Sequence, residues 1–389
     1  MTRSDSGGTA HLGTLSTEAV RPELDALDLL GPSDLVSVLA ADSRRATEAV
    51  VAAAPEITAA VQAVCGRLAA GGRLVYVGAG TAGRIAVLDA AELGPTFSVP
   101  EGTAEAVIAG GDEALRHPAE GAEDDKDAGA AALARLGVGE TDVVIGVSAS
   151  GRTPFVLGAV DYAAAAGAAT IGLSCNQGSP LSTAAGHAIE LLVGGEVIAG
   201  SSRLNAGTAQ KIALNTISSS VMVLLGKTYG NLMVDVRPTN DKLRDRAVRI
   251  VQAVTGVAPE RALQALESAG WDVKLASLVA ASGKDVATVK PALEAARGRL
   301  REALALVAGE AAAGAPPGRR PAGPVGDGRA SATSPVTGKS RARPLWSRLG
   351  VGCAHRRRSR PRRRGCPRRL RRCGRAAGGG LGLRHRRPG

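Results

Sequence analysis

The stretch Leu74–Thr96, LVYVGAGTAGRIAVLDAAELGPT, constrains the fold of this chain more than any other. Its apolar opening, Leu74-Val75-Tyr76-Val77, has the composition of a parallel strand buried on both faces. Small residues follow at Gly78-Ala79-Gly80-Thr81-Ala82-Gly83, and the apolar periodicity then predicts a helix from about Arg84 to Leu93, stopped by Pro95. A strand, loop and helix in this order aim backbone N–H groups and the positive end of the helix dipole at whatever lies above the loop. That arrangement favours an anion, most often a phosphate. Gly80, Thr81 and Gly83 are therefore candidate phosphate contacts. The helix also carries Asp89 and Glu92 near its far end. On an ideal helix Glu92 lies about 12 Å beyond Arg84. That is too far to touch the phosphate, yet suited to the distal end of a sugar phosphate or to a neighbouring subunit's site.

The spacing Gly78-x-Gly80-x-x-Gly83 also matches the dinucleotide fingerprint. A nicotinamide site needs an acid at the end of the next strand to hold the ribose. The next strand-like run, Ala106–Ala109, ends instead in Gly110-Gly111, and Glu101 precedes it. The hydroxyl of Thr81 also suits a terminal phosphate monoester better than a pyrophosphate lying on bare backbone.

The strand–loop–helix pattern returns at Asp142–Val147, Ser148-Ala149-Ser150-Gly151-Arg152-Thr153, and a helix from Pro154 to about Ala166. Here Ser148, Ser150 and Thr153 set three hydroxyls around Gly151 at a helix start, where backbone N–H groups are free. A plain serine-rich cap would look the same. Two such loops on successive halves of one sheet instead favour a phosphorylated small molecule at the strand C-termini. Glu123 lies in the acidic run Glu120–Asp127, which by itself reads as an exposed helix N-terminus.

Strands and helices alternate to Val193, with strands at Ala169–Leu173 and Ala188–Val193. Helical patterns precede them: two short ones between Glu18 and Ala40 with Ser33 as an N-cap, then Arg44–Ala69, which Pro55 kinks or divides. A long helix at about Ala206–Leu225 closes the alternating unit. Beyond it the pattern is helical only: Lys242–Val254, Pro259–Ala269, Val273–Ala281 and Lys284–Val307. The expected fold class is α/β, a doubly wound parallel sheet with N-terminal helices, a small helical C-terminal subdomain and a disordered basic tail. The expected boundaries are 1–13 disordered, 14–240 for the sheet domain with its N-terminal helices, 241–308 for the helical subdomain and 309–389 for the tail.

The net charge of +12 over 389 residues suggests a nucleic-acid partner until its distribution is considered. Residues 309–389 hold 22 of the 48 Lys and Arg residues but only two of the 36 acids, leaving the first 308 residues with 26 basic and 34 acidic residues, or −8. The body is acidic and enzyme-like. The Arg-, Pro-, Gly- and Ala-rich tail reads as disordered, or as GC-rich DNA translated out of frame, and lacks the aromatic interleaving of a single-strand binder. Its Cys353, His355, Cys366, Cys373 and His385 do not pair into zinc knuckles. Cys65 and Cys175 read as reduced core residues of a cytoplasmic protein. The opening MTRSDSGGTAHLG has no apolar stretch resembling a secretory signal, and no run reaches membrane-spanning length.

The motifs VGAGTAGRIAVLDAAE (77–92), EGAEDD (120–125), SASGRTPFVLGAVDYA (148–163), GEVIAGSSRLNAGTAQK (195–211) and GKTYGNLMVDVRPTNDKLRDRAVRIV (226–251) closely resemble those of the N-acetylmuramic acid 6-phosphate etherases, of the sugar isomerase (SIS) fold. The likeness runs from about Thr17 to Val307 and leaves the tail without a counterpart. It implies cleavage of the lactyl ether of N-acetylmuramic acid 6-phosphate without a metal or cofactor, and a homodimer with shared active sites. It places the family's proton-donor glutamate at Glu92 and its second active-site glutamate at Glu123. Ala82 stands where Ser is common, Leu93-Gly94 where Cys-Pro is usual, and Asn205 where Lys is common. Ser148, where Ala is frequent, offsets part of the loss of a phosphate hydroxyl at Ala82. The competing readings are a non-catalytic phosphosugar sensor like the related glucokinase regulatory protein, a transcriptional regulator, and a sugar phosphate isomerase. The regulator would need a helix-turn-helix domain that residues 1–70 do not convincingly supply.

Overall fold

The computed structural model describes residues 15–313. The expectations for 1–13 and for most of the basic tail lie outside the described residues.

The N-terminal helices differ from expectation at their ends. Gly31 rather than Ser33 is the N-cap of α1 (Pro32–Asp42), because Pro32 takes the first helical position. The stretch 44–69 is two helices, α2 (Arg44–Ala52) and α3 (Ala54–Ala69), with Pro55 in the first turn of α3, where its missing N–H costs nothing.

Five parallel strands follow in the order β2-β1-β3-β4-β5: β1 (Leu74–Gly78), β2 (Ala104–Ile108), β3 (Val143–Val147), β4 (Ala169–Ser174) and β5 (His187–Glu190). β1 pairs with both β2 and β3, Leu74 lying opposite Ala104 on one side and Val143 on the other. Side chains alternate between two apolar layers. Leu74, Tyr76, Ile145, Ile171 and Leu173 pack with α2, α3, α4 (Gly80–Phe97) and α8 (Asn205–Leu224). Val75, Val77 and Val144 pack with α5 (Lys126–Arg135), α6 (Pro154–Ala165) and α7 (Pro180–Ala184). Helices on both faces of a parallel sheet make the doubly wound architecture, and the order 2-1-3-4-5 puts its topological switch point between β1 and β3.

Helix α4 does not stop before Pro95. It continues to Phe97, because Pro95 lies on the exposed side, where the carbonyl it leaves unpaired is open to solvent; the helix ends at Ser98, whose φ is 49°. A second apolar core joins α9 (Asp241–Thr255), α10 (Pro259–Ser268), α11 (Val273–Ser282), α12 (Val286–Ala295) and α13 (Leu300–Ala313). The single helix expected over Lys284–Val307 is broken. Arg297 and Gly298 take φ of 50° and 75°, and the Gly298 N–H returns to the Leu293 carbonyl, closing α12 with a left-handed turn that glycine supplies cheaply. Helix α13 also runs past the expected end at 308, to Ala313. Lys274, buried on α11, pairs with Asp235 at 2.6 Å, and Ser98 at the end of α4 donates to the Asp235 carbonyl, so the helical core is fastened to the sheet unit.

Candidate active site

The loops after β1 and β3 open into one cleft of about 470 Å³, at the strand C-termini beside the switch point. Gly80, Thr81, Ser148, Ser150 and Thr153 line it, together with Glu123. The two helix starts facing it, α4 and α6, have no side-chain cap, so their first N–H groups remain available to an anion. Ser148 Oγ lies 2.8 Å from Thr153 Oγ1 and 3.3 Å from Ser150 Oγ, and accepts from the Gly151 N–H at 3.0 Å. The three hydroxyls thus form one cluster.

Gly83 and Gly151 are buried and do not line the cleft. They shape it. A Cβ at Gly83 would press on Ile108 and on the backbone of Gly78, so this glycine lets α4 close against β1 and β2. Gly151 has φ of 66°, and a Cβ there would collide with Ser179, so only glycine makes this turn against the next loop. Glu101 lies before the first residue of β2, at the opposite end of the sheet from Gly80, so it is not placed to hold a dinucleotide ribose.

The acidic run divides its work. Asp125 caps α5, accepting from the Ala128 N–H at 2.8 Å, while Glu123 and Asp124 occupy the short 3-10 turn before it and face the cleft. Glu92 is not in this cleft. It is exposed on the outer part of α4 and borders a separate depression with Lys211, Asn215 and Ser219 of α8. Asp89, one turn earlier, is 3 % exposed and fully engaged by Tyr76 at 2.6 Å, Ser218 at 3.1 Å and Asn215. Burial, then the neighbouring Asp89, pushes the Tyr76 hydroxyl well above its usual pKa, so it stays a donor to that carboxylate. Asp89 is a strut between α4, α8 and β1.

Other liners lay outside the two loops read from sequence. Thr17 and Glu18 form a wall held by Asn176: its Oδ1 accepts from Ser16 N and Oγ, both at 2.8 Å, and its Nδ2 donates to Thr17 Oγ1 and to the Ala149 carbonyl. Ser202 and Gln210 also line the cleft, and Arg152 joins them from the second loop. Ser202 and Gln210 lie within GEVIAGSSRLNAGTAQK, but only that motif pointed to them. Asn205 does not line the cleft. Its amide donates to Asp42 at 2.6 Å. Among the described residues, no group of three or more His, Cys, Asp and Glu side chains is arranged to hold a metal ion, and no single helix is long and apolar enough to cross a membrane.

The 2-1-3-4-5 sheet with two uncapped helix starts at its switch point accords with a SIS-domain protein, and the family comparison shows that class. Residues 56–164 match the glucokinase regulatory protein N-terminal SIS domain, and residues 127–219 match the SIS domain. Within that class the chain belongs to the N-acetylmuramic acid 6-phosphate etherase family. It is 55% identical to the N-acetylmuramic acid 6-phosphate etherase of Rubrobacter xylanophilus, over 75% of this chain and 98% of that one. The enzymes of the same name from Streptomyces avermitilis and Deinococcus radiodurans are 51% and 52% identical, over 76% and 74% of this chain and 95% and 94% of theirs. Among solved structures, a phosphoheptose isomerase from Francisella tularensis is similar at 21% identity and a TM-score of 0.40, over 50% of this chain and 100% of that one.

Proposed function

We propose that this chain cleaves the lactyl ether of N-acetylmuramic acid 6-phosphate by elimination and hydration, giving N-acetylglucosamine 6-phosphate and D-lactate. The observation that carries the reading is a carboxylate, Glu123, in one cleft with two hydroxyl-bearing anion loops, in a chain of the etherase family. The phosphate is held by the hydroxyls of Thr81, Ser148, Ser150 and Thr153 and by the open N-termini of α4 and α6, with Gly80 leaving the backbone bare beside them. In the ring-opened sugar the C2 proton is acidic because it adjoins the C1 aldehyde. A carboxylate removes it, the C3–O bond breaks, and the departing lactyl oxygen takes up a proton. Water then adds across C2 and C3, hydroxyl to C3 and proton to C2. Two carboxyl groups suffice for these transfers. Glu92 serves as proton donor and Glu123 handles the proton at carbon or water.

The separation of Glu92 from the phosphate cleft supports an active site shared across a homodimer, with Glu92 reaching the partner's cleft. The test is D-lactate release from N-acetylmuramic acid 6-phosphate by the wild type, Glu92→Ala and Glu123→Ala. Each substitution is expected to lower kcat by about 100-fold or more while sugar phosphate binding persists. A wild type that binds the sugar phosphate saturably but releases no lactate would leave a sensor in place of an enzyme.

A further inference from the structure

Gln210 lies on the second turn of α8, is 1 % exposed, and lines the phosphate cleft. Its Nε2 has no hydrogen-bond partner, the one such buried side-chain atom among the described residues. A buried amide donor left unpaired destabilises the free protein, so its place at the wall of a ligand cleft points to a ligand acceptor. The position on α8 indicates which part of the ligand. Gly207, three residues earlier on the same helix face, packs against Thr81, its Cβ position 3.1 Å from Thr81 Cγ2. Gln210 thus stands on the α4 side of the cleft. The phosphate already has the hydroxyls of Thr81, Ser148, Ser150 and Thr153 and the N-termini of α4 and α6 as donors, which leaves Gln210 for another part of the ligand. Outside the two loops, Glu18, Glu123 and Asp124 are acceptors when ionised and suit sugar hydroxyls. A carbonyl oxygen has no hydrogen to give and needs a donor.

We infer that Gln210 Nε2 donates to a carbonyl oxygen in the sugar portion of the substrate, either the acetamido oxygen or the C1 aldehyde of the opened ring. The inference rests on the phosphosugar reading of the cleft and adds a binding residue to it.

The test uses the full chain and two variants, Gln210→Met, which keeps the volume without polar atoms, and Gln210→Glu, which replaces the donor by an acceptor. Affinities for N-acetylglucosamine 6-phosphate, glucosamine 6-phosphate and inorganic phosphate are measured by calorimetry, and kcat and KM by lactate release. Inorganic phosphate affinity is expected to stay unchanged in Gln210→Met, whereas the carboxylate of Gln210→Glu weakens it by like-charge repulsion. If the acetamido oxygen is the acceptor, N-acetylglucosamine 6-phosphate binds about tenfold more weakly and the preference over glucosamine 6-phosphate disappears. If the aldehyde is the acceptor, that preference stays and kcat falls about tenfold with little change in KM. In either case Gln210→Met raises the Tm of the ligand-free protein, the opposite of what loss of a structural contact would do. In Gln210→Met, phosphate affinity falling in step with sugar affinity, or no change in sugar affinity, kcat or KM, would overturn the inference. A wild type that binds N-acetylglucosamine 6-phosphate without releasing lactate would sink the etherase reaction and leave the Gln210 binding comparison standing.

Discussion

Asp142, at the mouth of β3, shows how much one side chain organises at this scale. It is 3 % exposed and accepts from Arg73 N, Nε and Nη2 and from the Gly139 N–H, over 2.7–3.1 Å, tying the start of β1 to the turn before β3. Burial alone would raise its pKa, but the Arg73 guanidinium and the backbone N–H donors outweigh that and hold it below the usual 3.8. Asp142→Asn is expected to cost about 2–3 kcal/mol at neutral pH in denaturant unfolding, because it leaves Arg73 without its charge partner. A depressed carboxylate pKa contributes its stability above the unfolded value and loses it as pH falls through the folded one. The gap between wild type and variant should therefore narrow below about pH 3.8. A gap independent of pH would refute the ionic account. The loop hydroxyls were legible at this scale because Ser, Thr and Gly between a strand and a helix mark a helix start. Gln210 was not, since one polar residue on a helix gives no sign of whether it faces water, core or cleft.

At the scale of elements, the strands and most helices followed from apolar runs and turn residues, whereas the ends of α4, α12 and α13 did not. Pro95 stands inside α4 because its ring faces solvent, a fact of tertiary placement that local propensity does not carry. The same limit hid the α8 cap. Glu196, 1 % exposed, accepts from the N–H groups of Asn205 and Ala206 at 2.9 and 2.8 Å, neutralising that helix start from nine residues upstream. α8 therefore presents no open N-terminus of the kind α4 and α6 present to the cleft. Gly94 offers a direct measure of helix propensity within α4. It lies in the last turns of the helix with a φ outside the left-handed region, and a Cβ there would meet nothing within 4 Å. Gly94→Ala is expected to stabilise the protein by about 0.5–1 kcal/mol, read from its denaturation midpoint. Destabilisation would mean that the space beside α4 is filled in solution.

Across the whole molecule, the alternation of strands and helices foretold the parallel sheet, but strand order depends on contacts that no single segment encodes. That order places the β1 and β3 loops side by side, and it sends α4 away from the cleft, carrying Glu92 with it. Distance along the helix had suggested this displacement; the depression bordered by α8 makes it a property of the surface. If a homodimer completes each site with Glu123 from one subunit and Glu92 from the other, two inactive variants should complement. Mixing equal amounts of Glu92→Ala and Glu123→Ala after subunit exchange gives mixed dimers in which one site has both glutamates and the other has neither. With random exchange, half the dimers are mixed and half their sites intact, so about a quarter of wild-type lactate release should return under two-fold symmetry. If both glutamates served the same subunit's site, every site in every dimer would lack one of them, and the mixture would stay as inactive as its components.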